Sequence, residues 1–254
     1  MILLKIWFDI LTPKQLLFFE SMVYKLRKKH EVICTSRNYR EVNQLSQIRN
    51  FKLEFYGKHG GEKKSSKLEA SINRMKLLSK RICEYSPDLT ISFCSPDAAR
   101  ISYGLGINHI AFCNAPHSTA VLKLSVPLIQ KLLTPGHIPK KEFTHYGISE
   151  NDIIRYKSMD EYVIIKNKSF DSSISGIKLD KKPIILLRTF ESQASYITKK
   201  VDLTEFIRII SNNFPDISLV ILGRYTKEIK NLKSITDNVT VLDKVVDSGA
   251  ILRS

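Results

Sequence analysis

Apolar residues along this chain fall into short runs that alternate with longer stretches of helical spacing. Residues 3–8 form a first run that reads as a buried strand. Residues 14–29 place Leu17, Phe18, Val23 and Leu26 close to helical spacing, and residues 31–35 return to a short β-branched run. A helix is expected over 40–48, and Leu53 and Phe55 mark a weak strand. Residues 56–66 are rich in Gly, Lys and Ser and read as a loop. A long amphipathic helix is expected over 67–85, then a strand over 89–93. Ser95 followed by Pro96 and Asp97 opens a further helix, because the hydroxyl can take an orphan N–H and proline has none to satisfy. Residues 108–112 are the next strand. Residues 121–133 are apolar apart from Lys123 and Lys131 and read as a core helix broken near Pro127, with contact to an anionic membrane surface as the alternative.

This alternation runs to about Tyr156 and argues for a parallel sheet with crossover helices on both faces. Residues 166–182, with their Asn, Lys, Ser, Asp and Gly content, lose the pattern and read as a linker. A second alternation follows: strand over 183–187, helix over 203–212, strand over 219–222, helix over 226–232 and strand over 239–242. The expected fold class is α/β, with two Rossmann-like doubly wound parallel-sheet domains. Their expected bounds are 1–162 for the first domain, 163–182 for the linker and 183–254 for the second.

Composition narrows the class. Hydrophobic residues are 43% and charged residues 26% of 254, enough for a packed core and against global disorder. The formal net charge of +15 favours an anionic partner: a phosphorylated substrate, an anionic membrane surface or nucleic acid. Nucleic acid fits least, because the basic helices lack interleaved aromatics. Cys34, Cys83, Cys94 and Cys113 form no C-x-x-C pair, and three of them end or lie in apolar runs, as free thiols in a reducing compartment do. Lys5 and Asp9 interrupt the apolar start, which therefore does not read as a signal peptide, and no spanning run occurs; a cytoplasmic location is expected.

In open α/β sheets ligands bind beyond the carboxyl ends of the strands. The first strand delivers Asp9 and then Thr12-Pro13-Lys14, where backbone N–H groups and Lys14 could hold an anion, the alternative being a helix start capped by Thr12. His59-Gly60-Gly61 opens the third crossover; the glycines permit close approach of a ligand, and His59 could act as donor or base. Ser95 reads as a cap, because Asp97 in the first turn would repel an anion. After residue 112 come Cys113, Asn114, Ala115, Pro116 and His117; His117 is the general-base candidate, with no carboxylate nearby in sequence to orient it. In the second half Arg188 ends a strand, with Glu191 and Ser192 after it, and Gly223-Arg224 ends the next; paired guanidinium groups there suit a diphosphate. Histidine spacing matches no zinc motif, and there is no Walker lysine, G-x-G-x-x-G or G-x-S-x-G pattern.

Several stretches, taken in order, resemble a known family: Trp7-Phe8-Asp9-Ile10 with Thr12-Pro13-Lys14, Thr35-Ser36-Arg37-Asn38-Tyr39, Lys58-His59-Gly60-Gly61, Ser95-Pro96-Asp97-Ala98-Ala99-Arg100, residues 112–117, Thr134-Pro135, Met159-Asp160-Glu161-Tyr162 and residues 188–196. The set resembles domain-of-unknown-function family 354, itself similar to GT-B glycosyltransferases and to non-hydrolysing UDP-N-acetylglucosamine 2-epimerases. The resemblance implies a GT-B fold with two Rossmann-like domains facing a cleft. The nucleotide-sugar donor would lie on the C-terminal side, with Arg188, Glu191 and Gly223-Arg224. The acceptor would lie on the N-terminal side, with Asp9, Lys14, His59 and His117. It implies no required metal and no tightly bound cofactor, with a UDP-sugar as substrate. This sequence departs from the family where Asn114 and Pro116 stand and a carboxylate is expected. The resemblance also implies a further strand, a glycine-rich loop and a Glu-bearing helix beyond residues 246–254, so that the second domain is expected to be incomplete and this chain inactive.

The expected activity is transfer of a sugar from a nucleotide-activated donor to an acceptor the sequence does not identify. UDP-sugar 2-epimerisation is the alternative, and a non-catalytic basic module binding nucleic acid or an anionic surface is a third reading.

Overall fold

The structure, a computed structural model, describes residues 2–61, 63–166, 183–189, 203–223, 232, 239–242 and 245–246. The chain divides into two compact units, Met1–Lys168 and Ser169–Ser254. In the first, β1 (Lys5–Asp9), α1 (Pro13–Leu26), β2 (Glu31–Asn38), α2 (Arg40–Ile48), β3 (Glu54–Lys58), α3 (Lys64–Tyr85), β4 (Leu89–Ser92), α4 (Pro96–Gly104) and β5 (Asn108–Phe112) follow one another. They continue into α5 (Thr119–Ser125), β6 (Lys131–Pro135), α6 (Lys141–Thr144), β7 (Ile153–Tyr156) and α7 (Asp160–Lys166). The seven strands form one parallel sheet in the order β3-β2-β1-β4-β5-β6-β7. The α/β fold class read from the alternation therefore holds.

Both helix starts predicted from their caps are made as expected. Thr12 accepts the Gln15 N–H ahead of Pro13, and Ser95 accepts the Ala98 N–H ahead of Pro96. Two readings differ. Of the loop expected over 56–66, residues 56–58 belong to β3 and 64–66 to α3. The apolar run over 121–133 is not a single broken helix: α5 and a 3₁₀ turn at Val126–Leu128 end it, and Lys131–Leu133 already belong to β6. A run apolar on every side satisfies a buried strand as well as a buried helix, and Pro127 is where the two separate.

The sheet has two differently built faces. On one, Phe8, Phe18, Phe19, Phe93 and Phe112 pack edge to face or tilted, with ring centroids 5.0–5.7 Å apart. On the other, Trp7, Leu78, Ile82, Ala98 and Ile101 form one cluster, and Cys94, Ala111, Cys113, Leu122 and Leu132 belong to the next. Cys34, Cys94 and Cys113 are buried free thiols, and Cys83 is exposed. Polar groups thread the second face as well. The Ser102 hydroxyl donates to Thr90 Oγ1 at 2.8 Å, and the fully buried His109 shares a 2.9 Å hydrogen bond between Nε2 and Ser92 Oγ, while its Nδ1 has no partner.

The second unit contains β8 (Ile184–Arg188), α8 (Thr204–Asn213), β9 (Ser218–Leu222) and β10 (Val239–Leu242), its strands pairing in parallel in the order β10-β9-β8. Among the described residues Ile207, Leu219, Ile221 and Leu232 form one buried cluster. Of the linker expected over 163–182, residues 163–166 belong to α7 and 167–182 lie outside the described residues, as does most of the helix expected over 226–232.

Two predictions follow from this packing. Gly57 in β3 has a φ of +70°, and a Cβ there would stand 2.8 Å from the Cβ of Arg74. Gly57→Ala therefore combines a left-handed backbone penalty with overpacking, and should lower unfolding free energy in urea by roughly 2–4 kcal/mol.

His109 generates the second. Burial pulls its imidazole pKa down to about 4, against an opposing pull from Asp9. The unfolded chain binds a proton near pH 6.5 and the native one near 4, so the unfolded state holds more protons between those values. Stability should then fall as pH drops from 6.5 towards 4, by roughly 3 kcal/mol in all from this group. His109→Gln should flatten that slope in denaturation measured at several pH values.

Candidate functional site

The chain runs from β1 outward to β2 and β3, then returns to β4 on the other side of β1. The order thus reverses between β1 and β4, and the crevice at their carboxyl ends is where doubly wound sheets take ligands. Asp9 closes β1 in register with Thr35 and Ser92, so its side chain stands at that reversal.

Asp9 is wholly buried and ringed by donors. Thr35 Oγ1 donates to Oδ1 at 2.8 Å, Ser95 Oγ to Oδ2 at 2.7 Å, and Arg74 Nη2 to Oδ1 at 2.6 Å, with a longer contact from Arg74 Nη1 to Oδ2 at 3.3 Å. Thr35 Oγ1 also accepts the indole N–H of Trp7 at 2.7 Å. Ser95, which caps α4, thus orients the carboxylate as well as the helix.

Arg74 comes from the middle of α3. It shares the buried stripe of Leu78 and Ile82 at four-residue spacing, which carries its guanidinium under the sheet edge. Its second partner is Asp97 in the first turn of α4, which accepts from Nη1 at 2.9 Å and from Ser71 Oγ at 2.5 Å. Burial works against the Arg74 charge, and the two carboxylates overcome it, holding the guanidinium pKa above its ordinary value. Asp9 and Asp97 thereby spend their charge on Arg74 rather than facing a substrate.

Lys14 opens α1 and reaches across to α7, 3.1 Å from Asp160 and 3.0 Å from Glu161. Asp160 is buried and also accepts from the Tyr156 hydroxyl. Burial, and next that hydrogen bond, push the Tyr156 phenol well above its usual range. On the far side of β1, His59 stacks on Tyr39 with ring centroids 5.2 Å apart, and its Nδ1 accepts the Gly61 N–H at 3.1 Å. A neutral His59 ring therefore carries its proton on Nε2. Gly60 is required here: a Cβ would lie 2.6 Å from the Lys67 Cα. Gly61 has a φ of +69°, with open space where a Cβ would be.

In the loop after β5, Asn114 is half-buried and His117 is exposed. In the second unit Arg188 is exposed at the end of β8, and Gly223 follows β9. Glu191, Ser192 and Arg224 lie outside the described residues. Among the described residues no group of three or more His, Cys, Asp or Glu could hold a metal ion, and no helix is long and apolar enough to cross a membrane. Of the residues singled out from sequence, Asp9 and Ser95 meet directly. Arg74, which completes the cluster, was not anticipated; its signal was a charge inside the apolar stripe of an amphipathic helix.

Comparison with known proteins agrees with this architecture. A UDP-GlcNAc 2-epimerase from Neisseria meningitidis, solved bound to UDP-GlcNAc, superposes with a TM-score of 0.72 at 15% identity, covering 98% of this chain and 74% of that one. The glycotransferase of kitacinnamycin superposes at 0.54 and 14% identity, over 96% of this chain and 72% of that one. At such identities the likeness concerns the fold, which is of the GT-B type with Rossmann-like units. In sequence, an uncharacterized protein of Methanocaldococcus jannaschii is 28% identical over 148 residues, 58% of this chain and 43% of that relative, so the chain matches less than half of its length. The family described as "Protein of unknown function (DUF354)" matches residues 4–254, and the chain belongs to that family.

Proposed function

We propose that this protein transfers a sugar from a nucleotide-activated donor, a UDP-sugar, to a hydroxyl-bearing acceptor. The observation that carries this reading is that the carboxylates at the edge of the first sheet are already engaged. Asp9 and Asp97 pair with Arg74, and Asp160 pairs with Lys14. Epimerisation through proton removal needs a base to take a proton from carbon and an acid to return one on the opposite face. Transfer needs one base for the acceptor hydroxyl and positive groups for the departing diphosphate. The exposed imidazole of His117 fits the first role. It takes the acceptor proton as the new bond forms at the anomeric carbon, and the nucleoside diphosphate leaves with the electrons of the bond that breaks.

The donor class is supported by the fold shared with a UDP-GlcNAc-bound epimerase. In the second unit, Arg188 and Gly223 follow strand ends, where a guanidinium and a bare backbone suit phosphate oxygens. Asp9 acts in this reading as a positioning residue that holds Arg74 and the α4 cap.

The 2-epimerase reading keeps the support of the structural likeness, and solvent deuterium separates the two. With UDP-GlcNAc in deuterated water, transfer leaves the sugar C2 unlabelled, whereas epimerisation through proton removal introduces deuterium there. For transfer, we expect no C2 label, nucleoside diphosphate release that depends on an added acceptor, and a loss of about 10²–10⁴-fold in kcat for His117→Ala with donor affinity retained. A C2 label would overturn transfer, as would the failure of UDP-, GDP-, dTDP- and CMP-sugars alike to bind.

A further inference from the structure

Arg37, near the end of β2, is a cation without an assigned task. Its residue lies two positions beyond Thr35, whose hydroxyl bonds Asp9, so it continues the same sheet edge past the end of β1. Its Nε is buried and has no hydrogen-bond partner. The charges that act on it are those of Arg74, Asp97, Tyr39 and Asp9, which places it beside the cluster at the chain reversal. The residue as a whole is half-buried, and a guanidinium nitrogen that is buried without a partner carries a desolvation cost that nothing repays.

The two nearby carboxylates are engaged by other donors. Asp9 already accepts from Thr35, Ser95 and both terminal nitrogens of Arg74, and Asp97 from Ser71 and Arg74. Burial first, and then repulsion from Arg74, lower the Arg37 pKa. Arg37 is thus a half-buried fork of donors at the carboxyl end of the sheet, with one nitrogen buried and without an acceptor. What such a group lacks is an oxyanion, and guanidinium meets phosphate or carboxylate oxygens in a bidentate manner.

We propose that Arg37 is an oxyanion-binding residue of the first unit, receiving a phosphate or carboxylate group of a substrate. The group has two sources: the diphosphate of the nucleotide donor, or an anionic group carried by the acceptor. The proposal goes beyond the transfer reading and does not depend on it, since anion binding without sugar turnover would keep one and remove the other.

The test uses calorimetry with inorganic phosphate and with UDP as separate probes, on the wild type, Arg37→Gln and Arg37→Lys, together with thermal unfolding of each unliganded protein. The unliganded Arg37→Gln protein should melt at the wild-type temperature or above it, because the buried Nε that is removed makes no hydrogen bond. Its affinity for phosphate should fall roughly 10- to 100-fold, with Arg37→Lys recovering only part of that loss. A parallel fall for UDP identifies the donor diphosphate as the source, and an unchanged UDP affinity identifies the acceptor's anion. A wild-type protein that binds neither probe, a variant that binds both as tightly as the wild type, or a marked loss of thermal stability in Arg37→Gln would each overturn the proposal.

Discussion

The buried ion pair between Asp9 and Arg74 is the constraint around which the first unit is arranged. Both side chains are almost completely removed from water, at 0% and 2% relative exposure. A charge so placed is tolerated only when its partner and its remaining hydrogen bonds are present. The partners come from everywhere the edge must be joined. Thr35 with Trp7 ties β1 to β2, Ser95 and Asp97 tie β1 and α3 to the start of α4, and Gly57 removes the Cβ that would keep α3 away from β3. The crevice between β1 and β4 is in this sense built by electrostatics, while the aromatic face behind it is built by packing alone.

That arrangement decides which groups remain for chemistry. With Asp9, Asp97 and Asp160 engaged, the proposed reading assigns ligand contact at this edge to imidazole, guanidinium and backbone N–H. His59 is held by stacking and by the Gly61 N–H, His117 stands in the loop after β5, and Arg37 waits beside Arg74. Such a surface favours substrates that are themselves anionic. The +15 net charge of the chain points the same way by a longer-range route, through attraction rather than contact.

Much of the fold was legible because its signals are local. Alternating runs identify strands and helices, and Thr12-Pro13 and Ser95-Pro96 mark helix starts through hydrogen bonds that span three residues. The strand at Lys131–Pro135 was partly hidden, since a run apolar on all sides carries no period to read. The site was legible only in part. Asp9 is recognisable from its place at a strand end, but its partner lies 65 residues away on a helix whose many lysines and arginines suggest a solvated face. Only the spacing of Arg74 with Leu78 and Ile82 reveals that it points inward. Lys14 shows the reverse: its position at a helix start suggests an anion, and its actual partners, Asp160 and Glu161, come from a helix nearly 150 residues on.

The Asp9–Arg74 pair, rather than either residue alone, holds this edge together. The direct measurement is a double-mutant cycle in chemical denaturation with Asp9→Asn, Arg74→Met and the two combined. Arg74→Met alone should cost about 3–5 kcal/mol, because it leaves buried carboxylates uncompensated. In the Asp9→Asn background the same change should cost less, by a coupling of about 1–3 kcal/mol. Additive losses, with no coupling between the two positions, would contradict the account.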